Sequence, residues 1–265
     1  MTDTTPTARA ANVRLTLITA AAVVLTLLVR FWPSITLLDR MELRTLDWRF
    51  AHRGVRAPHP DIVIVHVNEE SIRQIGRWPW PRRRFAQLID AFTAAGARAI
   101  VFDIFFADPD TSPGGPQSDA ELVAATRRSG IVFHAAFGHG PEERPNEALV
   151  RELAQRGWPQ ARIAAGAGTN ALAGLYELVN VTPPLPGLIA AAAGIGFVNV
   201  VDSGDGVFRH TFPVALLGGT PFPSLALAVS AHLLEVSPDQ VVIAPGSCVR
   251  LGAVRTIPID RTGRM

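Results

Sequence analysis

The chain has 265 residues, 48% of them hydrophobic, enough to bury an extensive core, which argues against disorder outside the tails. Its 25 basic residues are all arginine and, set against 23 acidic ones, leave a formal charge of only +2, so nothing indicates the concentrated basic face of a nucleic-acid binder. A single cysteine, Cys248, excludes an internal disulfide framework.

Residues 1–12 read as a short tail. Between Arg14 and Arg30 lie fifteen residues without a charge, and eighteen if the count runs on to Trp32 with Arg30 as the one interruption. At about 1.5 Å per residue the longer count reaches roughly 27 Å, close to the roughly 30 Å of a bilayer's hydrocarbon. An uncleaved transmembrane anchor is expected over 13–33. Arg30 would snorkel, Phe31 and Trp32 would sit at the interface, and Pro33 would end the helix. Arg9 and Arg14 on one side face Arg30, Arg40, Arg44 and Arg49 on the other, a count that by itself would keep the following domain in the cytoplasm. Residues 34–53 place Leu38, Met41, Thr45 and Trp48 along one side of an amphipathic helix. It serves either as a stalk or as a helix packed on the domain. Residues 54–60 form a loop.

Residues 62–67 are a β-branched run expected to form a strand buried on both faces. Pro79 and Pro81 hold the following turn extended, and Pro81 pre-sets a helix in which Phe85, Leu88, Ile89 and Phe92 share one face before Gly96 stops it. Residues 99–106 are again apolar, which completes a βαβ crossover with parallel strands. Further on, 107–118 reads as an exposed loop, 119–128 as a helix stopped by Gly130, and 131–137 as a buried strand. Asn146 is the N-cap of a helix over 147–156 that Gly157 ends. Residues 158–182 show no clean period and are left unassigned. A short helix over 183–193 precedes two strands, 194–201 and 207–217, joined by the glycine-rich turn 202–206 as a hairpin. A helix over 223–236 and three short strands, 241–243, 249–251 and 256–259, close the chain. The sum is an α/β fold: a mixed sheet with a βαβ crossover and helices on both faces, preceded by one N-terminal transmembrane helix.

Asp103, Asp108 and Asp110 follow a parallel strand, at the edge where open sheets place ligands. They either gather a divalent cation or end the strand as hydrogen-bond acceptors. Trp78, Trp80 and Arg82, together with Asp103, are the candidate ligand-binding residues, since aromatic faces beside a guanidinium suit anionic or planar ligands. The same residues serve equally to lock the turn, with Arg82 paired to Asp103. His134 and His139 are the only neighbouring histidines, at a spacing that matches no helical zinc pair. No metal site, no cofactor and no catalytic residue is expected, and no serine sits in a G-x-S-x-G context.

Several of these stretches resemble the second type of CHASE domain, the extracellular sensory domain associated with cyclases and histidine kinases. The similarity lies in 61–110, in Leu46-Asp47 through Phe50, in Gly196-Phe197-Val198-Asn199 followed by Asp202, Asp205-Gly206 and Arg209, and in Phe222-Pro223-Ser224-Leu225-Ala226-Leu227. It covers roughly 40–260. One departure is Asn68, where the family tends to carry Asp.

The resemblance implies an extracytoplasmic sensory domain over 54–265 of a bacterial signal-transduction receptor in the inner membrane. Its partners would be the membrane, an unknown small-molecule or environmental signal, and a second copy in a homodimer. The implied cytoplasmic output is an adenylate or guanylate cyclase, or a kinase. Because the family continues into another strand and further membrane helices, the domain is expected to be incomplete at Met265. The rival reading is a membrane-tethered α/β enzyme using a divalent metal at Asp103, Asp108 and Asp110.

Overall fold

The computed structural model describes residues 6–31, 36–139, 146–164, 174–203 and 205–265, and divides into two units, Met1–Val67 and Asn68–Met265. In the first unit α1 spans Pro6–Phe31 and α2 spans Thr36–Arg53. Every described side chain of α1, from Val13 to Leu27, is exposed. Among the described residues no helix is long and apolar enough to cross a membrane. The fifteen uncharged residues of α1 extend only about 22 Å, and Trp32 and Pro33 of the expected anchor lie outside the described residues. Among the described side chains of α2 the half-buried ones are Leu43 and Leu46, whereas Met41, Thr45 and Trp48 of the expected stripe are exposed and Leu38 lies outside the described side chains. Trp48 stacks on His52, and the Arg53 guanidinium lies over the Phe50 ring.

Residues 62–67 correct the first strand expectation. They form no strand, and Ile62, Val63, Ile64 and Val65 are exposed. A β-branched run favours the extended backbone, but its burial depends on pairing with a distant strand, and no described residue pairs with it.

The second unit opens with α3 (Glu69–Ile75), a helix absent from the sequence reading. Asn68 is its N-cap: its side-chain oxygen accepts from the Ser71 N–H at 2.9 Å while the Ser71 hydroxyl accepts from the Asn68 N–H. The amide oxygen thus accepts here as a carboxylate would. Then follow α4 (Arg82–Ala94), β1 (Ile100–Phe102), α5 (Gly115–Ser129), β2 (Val132–His139), α6 (Glu147–Arg156), β3 (Arg162–Ile163), β4 (Tyr176–Leu178), β5 (Asn180–Thr182), α7 (Pro186–Ala191) and β6 (Gly194–Phe197). The remainder is β7 (Val200–Val201), β8 (His210–Thr211), β9 (Val214–Leu217), β10 (Thr220–Pro223), α8 (Leu225–Leu233), β11 (Val241–Ala244), β12 (Cys248–Leu251) and β13 (Arg255–Pro258).

The fold is mixed α/β. In the first sheet β1, β2 and β6 run parallel, and β5 joins the end of β2 antiparallel. A βαβ crossover exists, but its members are β1, α5 and β2 instead of 62–67, α4 and β1. Helix α5 begins at Gly115, inside the expected loop, because Pro116 is tolerated in a first helical turn. The expected strand 99–106 shrinks to three residues, with Phe106 turned fully inward. Pro213 divides the expected strand 207–217 into β8 and β9, and β8 pairs with β7 as the anticipated hairpin.

Helices cover both faces of the first sheet. On one, Phe85 of α4 meets the rings of Phe102 and Phe106, and Phe102 stacks on the buried His134, whose Nε2 lies 3.4 Å from the Thr126 hydroxyl of α5. On the other, Leu225 and Ala228 of α8 pack on Phe133 and Ala135. Strand β9 is buried along its whole length. Its Ala215 and Leu217 belong to one apolar cluster with Phe197, Phe212 and Phe222, and its Val214 and Leu216 to a second with Leu227, Val241, Ile243 and Val249. A strand with apolar side chains on both faces marks the centre of a layered core.

Candidate functional site

The turn before α4 is where the sequence concentrates its candidate ligand residues. Proline cannot donate a backbone hydrogen bond, and Pro81, the N-cap of α4, makes no side-chain cap either. The free N–H groups of the first turn are met from far along the chain instead. The Arg82 N–H donates to Asp110 Oδ2 at 2.9 Å, and the Arg83 N–H donates to the Ser118 hydroxyl at 2.8 Å. The Arg82 side chain is largely enclosed. One Nη donates to the Asp108 carbonyl, its guanidinium lies 4.9 Å from the Phe106 ring centre, and its Nε stands 3.9 Å from Asp119 Oδ1. An Nη of Arg83 donates to the Pro113 carbonyl.

Asp110 is the keystone of this loop. Burial works against its charge, but the hydrogen bonds from the Arg82 and Ser112 N–H groups, with the polar hydroxyls of Ser112 and Ser118 nearby, outweigh it and hold the carboxyl well below the usual carboxylate range. The Asp110 N–H in turn donates to Asp119 Oδ2. Trp80 is buried, with its indole N–H donating to the Gly76 carbonyl at 2.8 Å. Trp78, 36% exposed, meets Trp80 and Phe85 edge-on.

The four candidates therefore separate. Trp80 and Arg82 are built into the lock, Trp78 keeps an outward face, and Asp103 is exposed and enters none of these contacts. The expected Arg82–Asp103 pair does not form, because Asp119 in the first turns of α5 takes that place. Nor do Asp103, Asp108 and Asp110 gather as ligands: Asp108 contributes its carbonyl and Asp110 spends its carboxylate on N–H groups. Among the described residues no three His, Cys, Asp or Glu side chains come together in a way that could hold a metal ion. Asp119 and Ser118 escaped the sequence reading. Their signal was the pair Ser-Asp at the head of a helical period, a pattern that usually announces a local cap and here caps a different helix.

The CHASE2 domain family matches residues 19–265. The chain belongs to that family. CHASE2 domains are extracellular sensory domains of signalling receptors. Comparison with curated proteins and with solved structures returns no match.

Two of the CHASE2-like motifs read from the sequence, 196–199 and 222–227, meet in three dimensions. Gly196 of β6 lies so close to α8 that a Cβ there would sit 2.4 Å from the backbone of Leu225, and Phe197 forms a β-bridge with Ser224. The Ser224 hydroxyl caps α8 by accepting from the Leu227 N–H. Asn199, buried, acts as a surrogate strand: its Oδ1 accepts from the Gly138 N–H and its Nδ2 donates to the Gly138 carbonyl, each at 2.7 Å. A Cβ at position 138 would sit 2.3 Å from the Leu178 side chain and 3.0 Å from Asn199 Oδ1, so this packing favours glycine there. Asp205 and Arg209 form a two-pronged ion pair beside the β7–β8 hairpin. These motif residues hold the domain in shape.

Proposed function

We propose that the chain is the extracytoplasmic input domain of a bacterial membrane receptor, anchored by α1, that sets the activity of a cytoplasmic adenylate or guanylate cyclase or of a kinase. The single observation that carries this reading is the CHASE2 match across 19–265. Two features support it. Helix α1 presents an uncharged apolar run, every described side chain of which is exposed, as in a helix solvated by lipid. The lock around Asp110 ties α4, the 103–114 loop and α5 together, so a signal acting on the outward face of Trp78 is felt by all three. The input works by population shift: a ligand or environmental change favours one of two arrangements of a homodimer, and the membrane helices carry that preference to the output.

The test is topological. Alkaline phosphatase, active only outside the cytoplasm, fused after Met265 is expected to be active in intact cells, while a green fluorescent protein fusion at the same point stays dark. A fluorescent fusion with an inactive phosphatase overturns the reading.

A further inference from the structure

The C-terminal sheet carries a feature that neither the lock nor the family motifs use. Its register aligns Arg162 of β3, Val242 of β11, Arg250 of β12 and Thr256 of β13 as successive partners in a single cross-strand row. Cross-strand partners point to the same side of a sheet. The adjoining row, Ile163, Ile243, Val249 and Ile257, includes residues of an apolar core cluster, so the arginine row faces away from that core. Two arginines thus stand on one face of the sheet with Val242 between them, their backbone positions on strands two places apart, about 10 Å.

Both are exposed, and among the described residues neither makes a hydrogen bond or an ion pair. They line one side of a depression of about 630 Å³ whose other walls are Asp239, Gln240, Gly252 and Ala253. Asp239 is the only carboxylate there among the described residues, and it accepts from the Ser237 hydroxyl at 2.6 Å. The small residues Gly252 and Ala253 leave the space open.

We propose that this depression binds a small soluble dianion, phosphate- or dicarboxylate-like, clamped between Arg162 and Arg250. Arginine presents a planar fork that matches carboxylate and phosphate oxygens two at a time, so less freedom is lost per hydrogen bond formed. An anion lying between the two like charges is attracted by both and relieves their mutual repulsion. The assignment stands on the geometry of the sheet, whether or not the chain is a receptor input.

The experiment is isothermal titration of the full chain in detergent micelles, at near-physiological ionic strength, with inorganic phosphate and separately with succinate. Saturable binding of at least one probe is expected, weakened tenfold or more by Arg162→Ala and by Arg250→Ala. Arg255→Ala, an exposed arginine of the same sheet outside the row, should leave binding unchanged, and all three variants should keep the parent's thermal unfolding. Heat that never saturates, binding that survives the double Arg162→Ala, Arg250→Ala replacement, or an equal loss in Arg255→Ala overturns the proposal.

Discussion

Asn199 shows how much one side chain can hold. Its amide satisfies both the donor and the acceptor of Gly138, groups that would otherwise be buried without a partner. Asn199→Ala is expected to destabilise the domain by roughly 2–4 kcal/mol, since each orphaned group carries its own desolvation cost, and urea denaturation followed by far-UV circular dichroism measures it. His134 acts through pH. Its ring is wholly buried against Phe102 and Phe106, and burial pushes its pKa from 6.5 down to about 4. Above about pH 6.5 both folded and unfolded chains keep it neutral. As pH falls from there towards 4, the unfolded chain takes up a proton that the folded one refuses, so stability declines; below about 4 both are protonated and this contribution levels off. The full loss is on the order of 3 kcal/mol. His134→Phe should flatten that part of the stability–pH profile, and unchanged curvature between pH 6.5 and 4 would rule out the assignment.

At the level of elements, α4 depends on a cap supplied 28 residues downstream. Asp110→Ala should cost about 1–3 kcal/mol and loosen the 103–114 loop, because the Arg82 and Ser112 N–H groups both lose their acceptor. The near-ultraviolet circular dichroism of Trp78 and Trp80 should weaken in the same variant, whereas Asp103→Ala should change neither reading. Elements with a local signature were legible in the sequence. Helix α4 shows its apolar face at helical spacing, α6 its Asn146 cap, and β11, β12 and β13 their turns. Helix α3 was legible in principle through Asn68 and Ser71, yet seven polar-rich residues give no hydrophobic period to notice. What stayed hidden was non-local. Strands of two or three residues between 162 and 182 are defined by their partners and not by their composition, and the run 62–67 advertises burial that no described partner provides. The candidate site was half legible for the same reason. Proline, tryptophan and arginine marked the turn, but the choice of Asp119 over Asp103 as the acid facing Arg82 rests on where α5 begins.

For the molecule as a whole, every described buried side chain lies at Trp80 or beyond, while 54–66 is exposed and 54–67 forms no strand. Limited trypsin digestion is therefore expected to cut first near Arg53 or Arg56 and leave a resistant fragment of roughly residues 57–265, identified by mass; rapid cleavage inside 82–128 instead would contradict the packing described. Within that fragment β9 has a further consequence. Its four side chains alternate between the two apolar clusters, so neither can be prised open while the other stays shut. Hydrogen exchange should find the slow amides of both halves released together, as from a beam with a shared keel. A disturbance arriving at one of the two clusters is handed through β9 to the other.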